Sequence, residues 1–239
     1  IDGSERLVTK ILQLDTNEPI RLVAHSNGGN VSNFATVLLA SLRDETNPQE
    51  PQTLTRLYRP FMQETYTKSY PDGTNIPSIS TETQTAVDEA YQRLRKQFEK
   101  RTTRRTNAEP TYVISEIYLM GTPINTSPFD IDMSVVEHVF NLYSCNDFVQ
   151  PLVGEQTVPQ HKRRSNLHVM LHNPAYRDEP VAPCHKHIRN QLVAKWLLHL
   201  KDIVGDELSD GYLVLHSHQP PSYQTTAPAD HQCEPDDDF

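Results

Sequence analysis

Ser26 is the residue whose sequence surroundings point most directly to chemistry. It follows an apolar strand-like segment and precedes residues 29–42, whose apolar side chains recur at helical spacing. A serine hydroxyl becomes a nucleophile where a base takes its proton and amide donors receive the attacked carbonyl oxygen. A tight strand-to-helix turn would expose the hydroxyl and direct the Asn27 N–H at the same space. Ala24 and Gly28 are small enough for such a turn to close.

The elements that must position this serine follow from apolar periodicity. Strand-like runs alternate with helix-like stripes, which predicts an α/β fold with a mainly parallel sheet and helices on both faces. In such sheets reactive groups gather beyond the carboxyl ends of the strands. The predicted strands are 20–24, 112–120, 135–144 and 167–171, and the predicted helices are 4–14, 29–42, 83–101 and 186–203.

The segment Ala24-His25-Ser26-Asn27-Gly28 resembles the G-x-S-x-G nucleophile elbow of the α/β-hydrolase superfamily, specifically its lipase- and esterase-like members. Alanine replaces the first glycine of that pattern. Residues 119–123, Leu-Met-Gly-Thr-Pro, resemble the strand end that borders the site in lipases. The resemblance covers residues 4–42 and about 110–203. A serine that only caps the following helix is the structural alternative.

The superfamily's catalytic residues follow the order Ser, then Asp or Glu, then His. The resemblance places the acid at Asp147, after the strand-like run 135–144, and the base at His185, just ahead of the last predicted helix. A carboxylate there would fix the imidazole tautomer and stabilise the imidazolium. Other candidates stay open, namely Asp130 and Asp132 for the acid and His172 and His187 for the base.

Metal and cysteine chemistry are weaker interpretations. Four residues could coordinate a zinc ion: Cys184, His185, His187 and His172. Ligand spacing such as C-x-x-C or H-E-x-x-H is absent, however, and no glycine-rich phosphate loop is present. Neither Cys145 nor Cys184 lies on a recognisable activated turn. We therefore expect no metal and no cofactor.

Composition restricts the classes of protein to be considered. The 239 residues carry a formal net charge of −9, which disfavours a protein that coats nucleic acid. No apolar run approaches the roughly 20 residues of a membrane-spanning helix. Three widely spaced cysteines argue against a secreted scaffold held by disulfides. Localisation stays undetermined, with the cytoplasm slightly favoured.

The predicted organisation is a hydrolase-like core over residues 1–204 and a polar acidic tail over 205–239. A polar and helical insertion interrupts the core at about 43–109. The superfamily's fold begins with further strands, and one of their loops supplies a second oxyanion-hole amide. Fewer than 20 residues precede the elbow strand here. We therefore expect a core that lacks those strands, either because an N-terminal segment is missing or lies on another chain, or because the hydrolase is shortened and its oxyanion hole incomplete.

The end of the third predicted helix is basic, and an anion- or partner-binding patch is one interpretation. The other is that cations near a helix C-terminus are favoured by the helix dipole. The basic group comprises Arg93, Arg95, Lys96, Lys100, Arg101, Arg104 and Arg105.

Two functional hypotheses follow. The resemblance implies a serine hydrolase for a small-molecule or lipid acyl substrate, with Ser26 as nucleophile, Asp147 and His185 completing the triad, and Asn27 in the oxyanion hole. The alternative is a hydrolase-like protein that binds or scaffolds a protein partner without turnover. The long polar insertion and the missing strands favour this alternative.

Overall fold

The structure is a computed structural model with a single six-stranded sheet in its described part. The described residues are 2–14, 19–43, 81–102, 113–124, 130–149, 152, 155–173, 180–205 and 208–227. No helix within these ranges combines the length and the apolar character that crossing a bilayer requires.

Helices and strands alternate along much of the chain. The helices are α1 (Asp2–Gln13), α2 (Gly28–Arg43), α3 (Thr81–Thr102), α4 (Gln191–Trp196) and α5 (Leu200–Val204). The strands are β1 (Arg21–His25), β2 (Ile114–Met120), β3 (Val136–Tyr143), β4 (Arg164–His172), β5 (Gly211–His216) and β6 (Ser222–Gln224). Short 3-10 helices, His187–Arg189 and Leu197–His199, precede and follow α4.

The strands lie side by side in chain order, from β1 to β6. The first five pair in parallel, and β6 runs antiparallel to β5. The parallel arrangement places the carboxyl ends of β1 to β5 along one edge, where His25 is the register partner of Met120. The predicted α/β class with a mainly parallel sheet is confirmed.

Alternate residues of β2 pack on opposite faces of the sheet, as strand geometry requires. Ile117 and Leu119 join a hydrophobic cluster that contains residues of α1, α2 and α3. Tyr118 and Met120 join a second cluster with residues of α4 and α5. Helices therefore cover both faces, which keeps a parallel sheet away from water.

Helix α3 lies within the predicted insertion, yet it contributes to the core. Its stripe of Tyr91, Leu94 and Phe98 is buried. The Tyr91 hydroxyl also donates to the Ser41 carbonyl of α2 over 3.1 Å. The remainder of the predicted insertion, 44–80 and 103–109, lies outside the described residues.

Two of the basic residues in α3 form ion pairs within the helix. Arg95 Nε lies 3.1 Å from Glu99 Oε1, and Arg93 Nη1 lies 3.8 Å from Glu89 Oε2. Exposed pairs of this spacing contribute only about 0.3–0.5 kcal/mol each. The predicted Arg104 and Arg105 lie outside the described residues.

The segment predicted as a tail from residue 205 contains two strands of the sheet, so the predicted boundary at 204 is wrong. Strand β5 pairs along β4, and its Leu213 and Leu215 are buried. The apolar run of β5 is short, and polar and proline-rich residues follow it. Tyr212 and Val214 are residue types that favour a strand, and pairing with β4 places this short run in the sheet.

The last predicted helix, 186–203, is divided into short helical pieces. The Asn190 side chain caps α4 by accepting from the Val193 N–H over 2.9 Å. An asparagine favours the start of a helix over its interior, because its side chain competes for backbone hydrogen bonds. The predicted apolar positions Ile188 and Leu200 are nevertheless buried.

A buried polar network links β3, β4 and the approach to β5. Asn166 Oδ1 accepts from the Val158 N–H over 2.8 Å and from Asn141 Nδ2 over 3.0 Å. Asn166 Nδ2 donates to Asp210 Oδ1 over 3.1 Å. Buried polar groups are costly to leave without partners.

We predict that Asn166→Ala lowers the free energy of unfolding by about 2–4 kcal/mol, because it removes several partners of this network at once. Urea denaturation measures the change. Gln191→Ala, at an exposed position of α4, is the control and should change the value by less than about 0.5 kcal/mol. Equal losses in the two variants would contradict the prediction.

Candidate active site

Ser26 forms the turn between β1 and α2 in a left-handed backbone conformation. Its φ is +54°, and no other described residue except glycine has a positive φ. The Ser26 N–H donates to the Met120 carbonyl over 3.0 Å, and the Gly29 N–H donates to the Ser26 carbonyl over 3.0 Å. Such a conformation is unfavourable for a side chain, and residues held in it cluster at functional sites.

The close approach of α2 to the end of β2 depends on Gly29. A Cβ at Gly29 would lie 2.7 Å from Thr122 Cβ and would overlap the other Thr122 side-chain atoms, whereas a Cβ at Gly28 meets nothing within 4 Å. Thr122 is fully buried and has no room to withdraw. The expectation that Gly28 lets the turn close is therefore wrong, because Gly29 makes the close contact.

We predict that Gly29→Ala destabilises the protein by about 1–3 kcal/mol, the usual cost of forcing a methyl group into a packed site. Gly28→Ala is the matched control in the adjacent helical position. It should keep or raise the unfolding temperature, because alanine favours a helix by about 1 kcal/mol over glycine. Thermal unfolding distinguishes the two variants, and a Gly29→Ala protein as stable as the wild type would refute the proposed contact.

Asp147 and His185 are joined by a hydrogen bond of 2.7 Å between Oδ2 and Nδ1. The Asp147 side chain is fully buried, whereas that of His185 is 20 % exposed. A carboxylate oxygen accepts, so His185 Nδ1 carries the proton and Nε2 has the lone pair of a base. The second carboxylate oxygen, Oδ1, accepts from the Val149 N–H over 2.9 Å.

The absence of a side chain at Gly121 leaves room for the Asp147–His185 pair. Its φ is +56°, and a Cβ there would lie 2.9 Å from Asp147 Oδ2 and 3.2 Å from His185 Nδ1. Gly121 directly follows Met120, whose carbonyl accepts from the Ser26 N–H. The serine turn and the acid–base pair therefore meet where β1 and β2 end.

His25 connects the serine turn with His185. Its Nε2 donates to the His185 carbonyl over 3.2 Å, and the two ring centroids are 4.8 Å apart. Burial lowers the pKa of His25 below its ordinary value, and the hydrogen bond to the His185 carbonyl partly opposes that shift. His25 is thus a neutral donor at pH 7, with its proton on Nε2.

Ser26, Asp147 and His185 all lie at the carboxyl edge of the sheet, but a hydrogen bond joins only the latter two. Within the described residues, the Ser26 hydroxyl makes no hydrogen bond to His185. Without substrate, hydrogen bonds between catalytic groups are often long and tighten on binding. The Asn27 N–H, in the same turn, donates to no backbone acceptor in the described ranges.

The alternative acids lie at the opposite edge of the sheet. Asp130 Oδ1 forms an ion pair of 2.9 Å with Arg164 Nη1 at the start of β4. Asp132 Oδ1 accepts from the Ser134 N–H over 2.9 Å in the turn that leads into β3. Both carboxylates are therefore engaged where strands begin, away from Ser26.

The alternative histidines have other partners. His172 Nδ1 lies 3.0 Å from His216 Nδ1, and His187 Nδ1 lies 3.4 Å from Cys184 Sγ. The predicted zinc alternative needs these residues to converge with His185. The part of the chain that the structure describes contains no group of three or more residues able to hold a metal ion.

Cys145, two residues before Asp147, is disulfide-bonded, whereas Cys184 is a free thiol. The Cys145 N–H donates to His168 Nε2 over 3.0 Å. The spacing of three distant cysteines gave no indication of this bond, because disulfide formation depends on distance in the fold.

The sequence interpretation missed the residues that hold the turn 144–147, here called the acid turn, in which the Asp147 N–H donates to the Ser144 carbonyl. Gln156 Nε2 donates to the Ser144 carbonyl over 3.0 Å, and Asn146 Nδ2 donates to the Ala182 carbonyl over 2.9 Å. A single amide side chain in a loop follows no periodic pattern. The position of Asn146 next to Asp147 was the one signal available in the sequence.

Comparison with known proteins adds no assignment, since no family model, curated protein or solved structure matches this chain. The chemistry of the site therefore rests on its residues and their geometry.

We predict that Gly121→Ala breaks the Asp147–His185 hydrogen bond and that Gly205→Ala preserves it. Both glycines have a positive φ, so both substitutions strain the backbone by about 1–3 kcal/mol, and Gly205 with φ +93° and ψ 179° is at least as unfavourable for alanine. A Cβ at Gly205, however, meets nothing within 4 Å. The NMR signal of the His185 Nδ1 proton should disappear in the Gly121 variant alone, and its persistence there would contradict the assigned contact.

Proposed function

We propose that this chain is a serine hydrolase of the lipase or esterase type, with an α/β-hydrolase-like core and an ester or related acyl substrate. The observation that carries the proposal is the 2.7 Å hydrogen bond between Asp147 and His185, beside the left-handed turn at Ser26. A buried acid that orients an imidazole is two thirds of the arrangement that activates a serine nucleophile, and Ser26, which is partly buried, lies at the same edge of the sheet.

In the proposed reaction, Ser26 Oγ attacks the acyl carbonyl carbon while His185 Nε2 takes the hydroxyl proton. Asp147 holds the imidazole in the required tautomer and stabilises the imidazolium that forms. When the tetrahedral intermediate collapses, His185 gives that proton to the departing alcohol and leaves an acyl-serine. Water then loses a proton to His185 and attacks the acyl carbon; as the bond from that carbon to Ser26 Oγ breaks, His185 gives the proton to Oγ, which releases the acid and restores Ser26. This reaction needs no metal or cofactor.

The oxyanion of the tetrahedral intermediate is assigned to the Asn27 N–H, which belongs to the turn after the nucleophile. An oxyanion hole of this type uses two donors, and the loss of one typically reduces the rate by about 10²–10³. Reaction of Ser26 with a covalent probe is therefore a more sensitive test of the site than turnover alone.

The disulfide at Cys145 supports an oxidising compartment rather than the cytoplasm, since cytosolic conditions keep thiols reduced.

The alternative is a hydrolase-like binding protein without turnover. The missing hydrogen bond between the Ser26 hydroxyl and His185 within the described residues favours it. In such a protein Asp147 and His185 would serve as a buried structural pair, and Ser26 would only begin helix α2.

We predict that a fluorophosphonate probe labels the purified full chain at Ser26, as mass spectrometry of the modified peptide would show. Ser26→Ala should remove the label and lower hydrolysis of a short p-nitrophenyl ester at least about 10³-fold. Asp147→Asn should lower it by about 10⁴-fold, because the imidazole loses its tautomeric control.

Ser134→Ala is the matched control, since this exposed serine lies before β3 at the other edge of the sheet. It should keep both the label and the activity. A folded wild-type chain that neither reacts with the probe nor hydrolyses the ester would refute the enzyme and support the binding protein.

A further inference from the structure

We propose that His25 and Asn146 are positioning residues that hold the base-bearing segment 182–185 by its backbone carbonyls. The inference rests on the proposed function, because it takes His185 as the base. Neither side chain touches the reacting atoms in this scheme. Both act through His185.

The two contacts fasten the segment near its two ends. Asn146 Nδ2 donates to the Ala182 carbonyl over 2.9 Å, and His25 Nε2 donates to the His185 carbonyl over 3.2 Å. His25 immediately precedes Ser26, and Asn146 immediately precedes Asp147. The residues directly before Ser26 and Asp147 therefore both hold the segment that carries His185, the third proposed catalytic residue.

The segment needs such contacts because no helix or strand contains it. The backbone before it is held by Val181, which exchanges two hydrogen bonds of 2.8 Å with Leu171 of β4. The backbone after it turns where the His187 N–H donates to the Cys184 carbonyl over 2.9 Å. Between these points, the carbonyls of Ala182 and His185 accept hydrogen bonds from the side chains of Asn146 and His25.

Both donors are themselves fixed. The Asn146 N–H donates to Ser144 Oγ over 3.3 Å within the acid turn. His25 belongs to β1, in register with Met120, and its ring lies against the His185 ring. The base is consequently positioned relative to β1 and β3 together, the strands that end next to Ser26 and Asp147.

A displacement of the imidazole by about 1 Å is enough to reduce catalysis on the order of 10²-fold, because proton transfer depends on the near-attack geometry. Both donors are used on backbone carbonyls, so in this scheme the loss should appear in kcat rather than KM. This split separates positioning from a general loss of the binding site.

The test uses variants that remove one donor each and keep the volume. His25→Phe keeps a ring beside His185 without the hydrogen bond, and His25→Gln restores a donor. Asn146→Asp keeps the shape but turns the donor into an acceptor that faces the Ala182 carbonyl. His199→Phe is the control for the histidine change, since His199 is exposed at the far end of the helical segment.

In the full-length protein we expect His25→Phe and Asn146→Asp each to lower kcat for a short ester about 10²-fold with KM nearly unchanged. His25→Gln should recover most of the loss, and His199→Phe should match the wild type. The NMR signal of the His185 Nδ1 proton should weaken in both donor variants. If one of them fails to fold, the other carries the test.

An active wild type whose kcat is unchanged in both donor variants would overturn this inference while the proposed function stands. A wild type without label or hydrolysis would overturn the proposed function instead. In that case the NMR signal still decides: its persistence in both donor variants would refute the positioning of His185.

Discussion

The buried carboxylate of Asp147 is the constraint around which this edge of the sheet is built. A charge away from water is tolerated only where donors surround it. Here His185 Nδ1 and the Val149 N–H supply them. Gly121 must lack a side chain for the first of these contacts to form. The burial of the Asp147 carboxylate therefore requires glycine at position 121 and fixes the position of His185.

The parallel order of the strands brings the residues of the candidate site together. Because β1, β2 and β3 are neighbours that run in one direction, the residues that follow them come together at one edge of the sheet. Ser26 follows β1, Gly121 follows β2, and the acid turn follows β3. The remaining partner, His185, comes from a loop, and side chains rather than the sheet fix its position.

Much of this could be predicted from the sequence. The strand, the tight turn and the apolar helix around Ser26 leave a local pattern, and the strand before Asp147 is apolar enough to be recognised. Strand β5 was missed although its residues 212–215 favour a strand, because the polar and proline-rich residues that follow it are typical of a tail and only the pairing with β4 shows that it belongs to the sheet. The contacts of His25 and Gly121 depend equally on distant residues.

The position of β1 has a dynamic consequence. In the described sheet β1 is a terminal strand that pairs only with β2, and Val23 on it is 53 % exposed. Local opening begins where backbone hydrogen bonds are few and accessible to solvent. Amide protons of β1 should therefore exchange with deuterium sooner than those of β2, which has neighbours on both sides. The strand that leads into Ser26 is thus more open to fraying than the neighbouring β2.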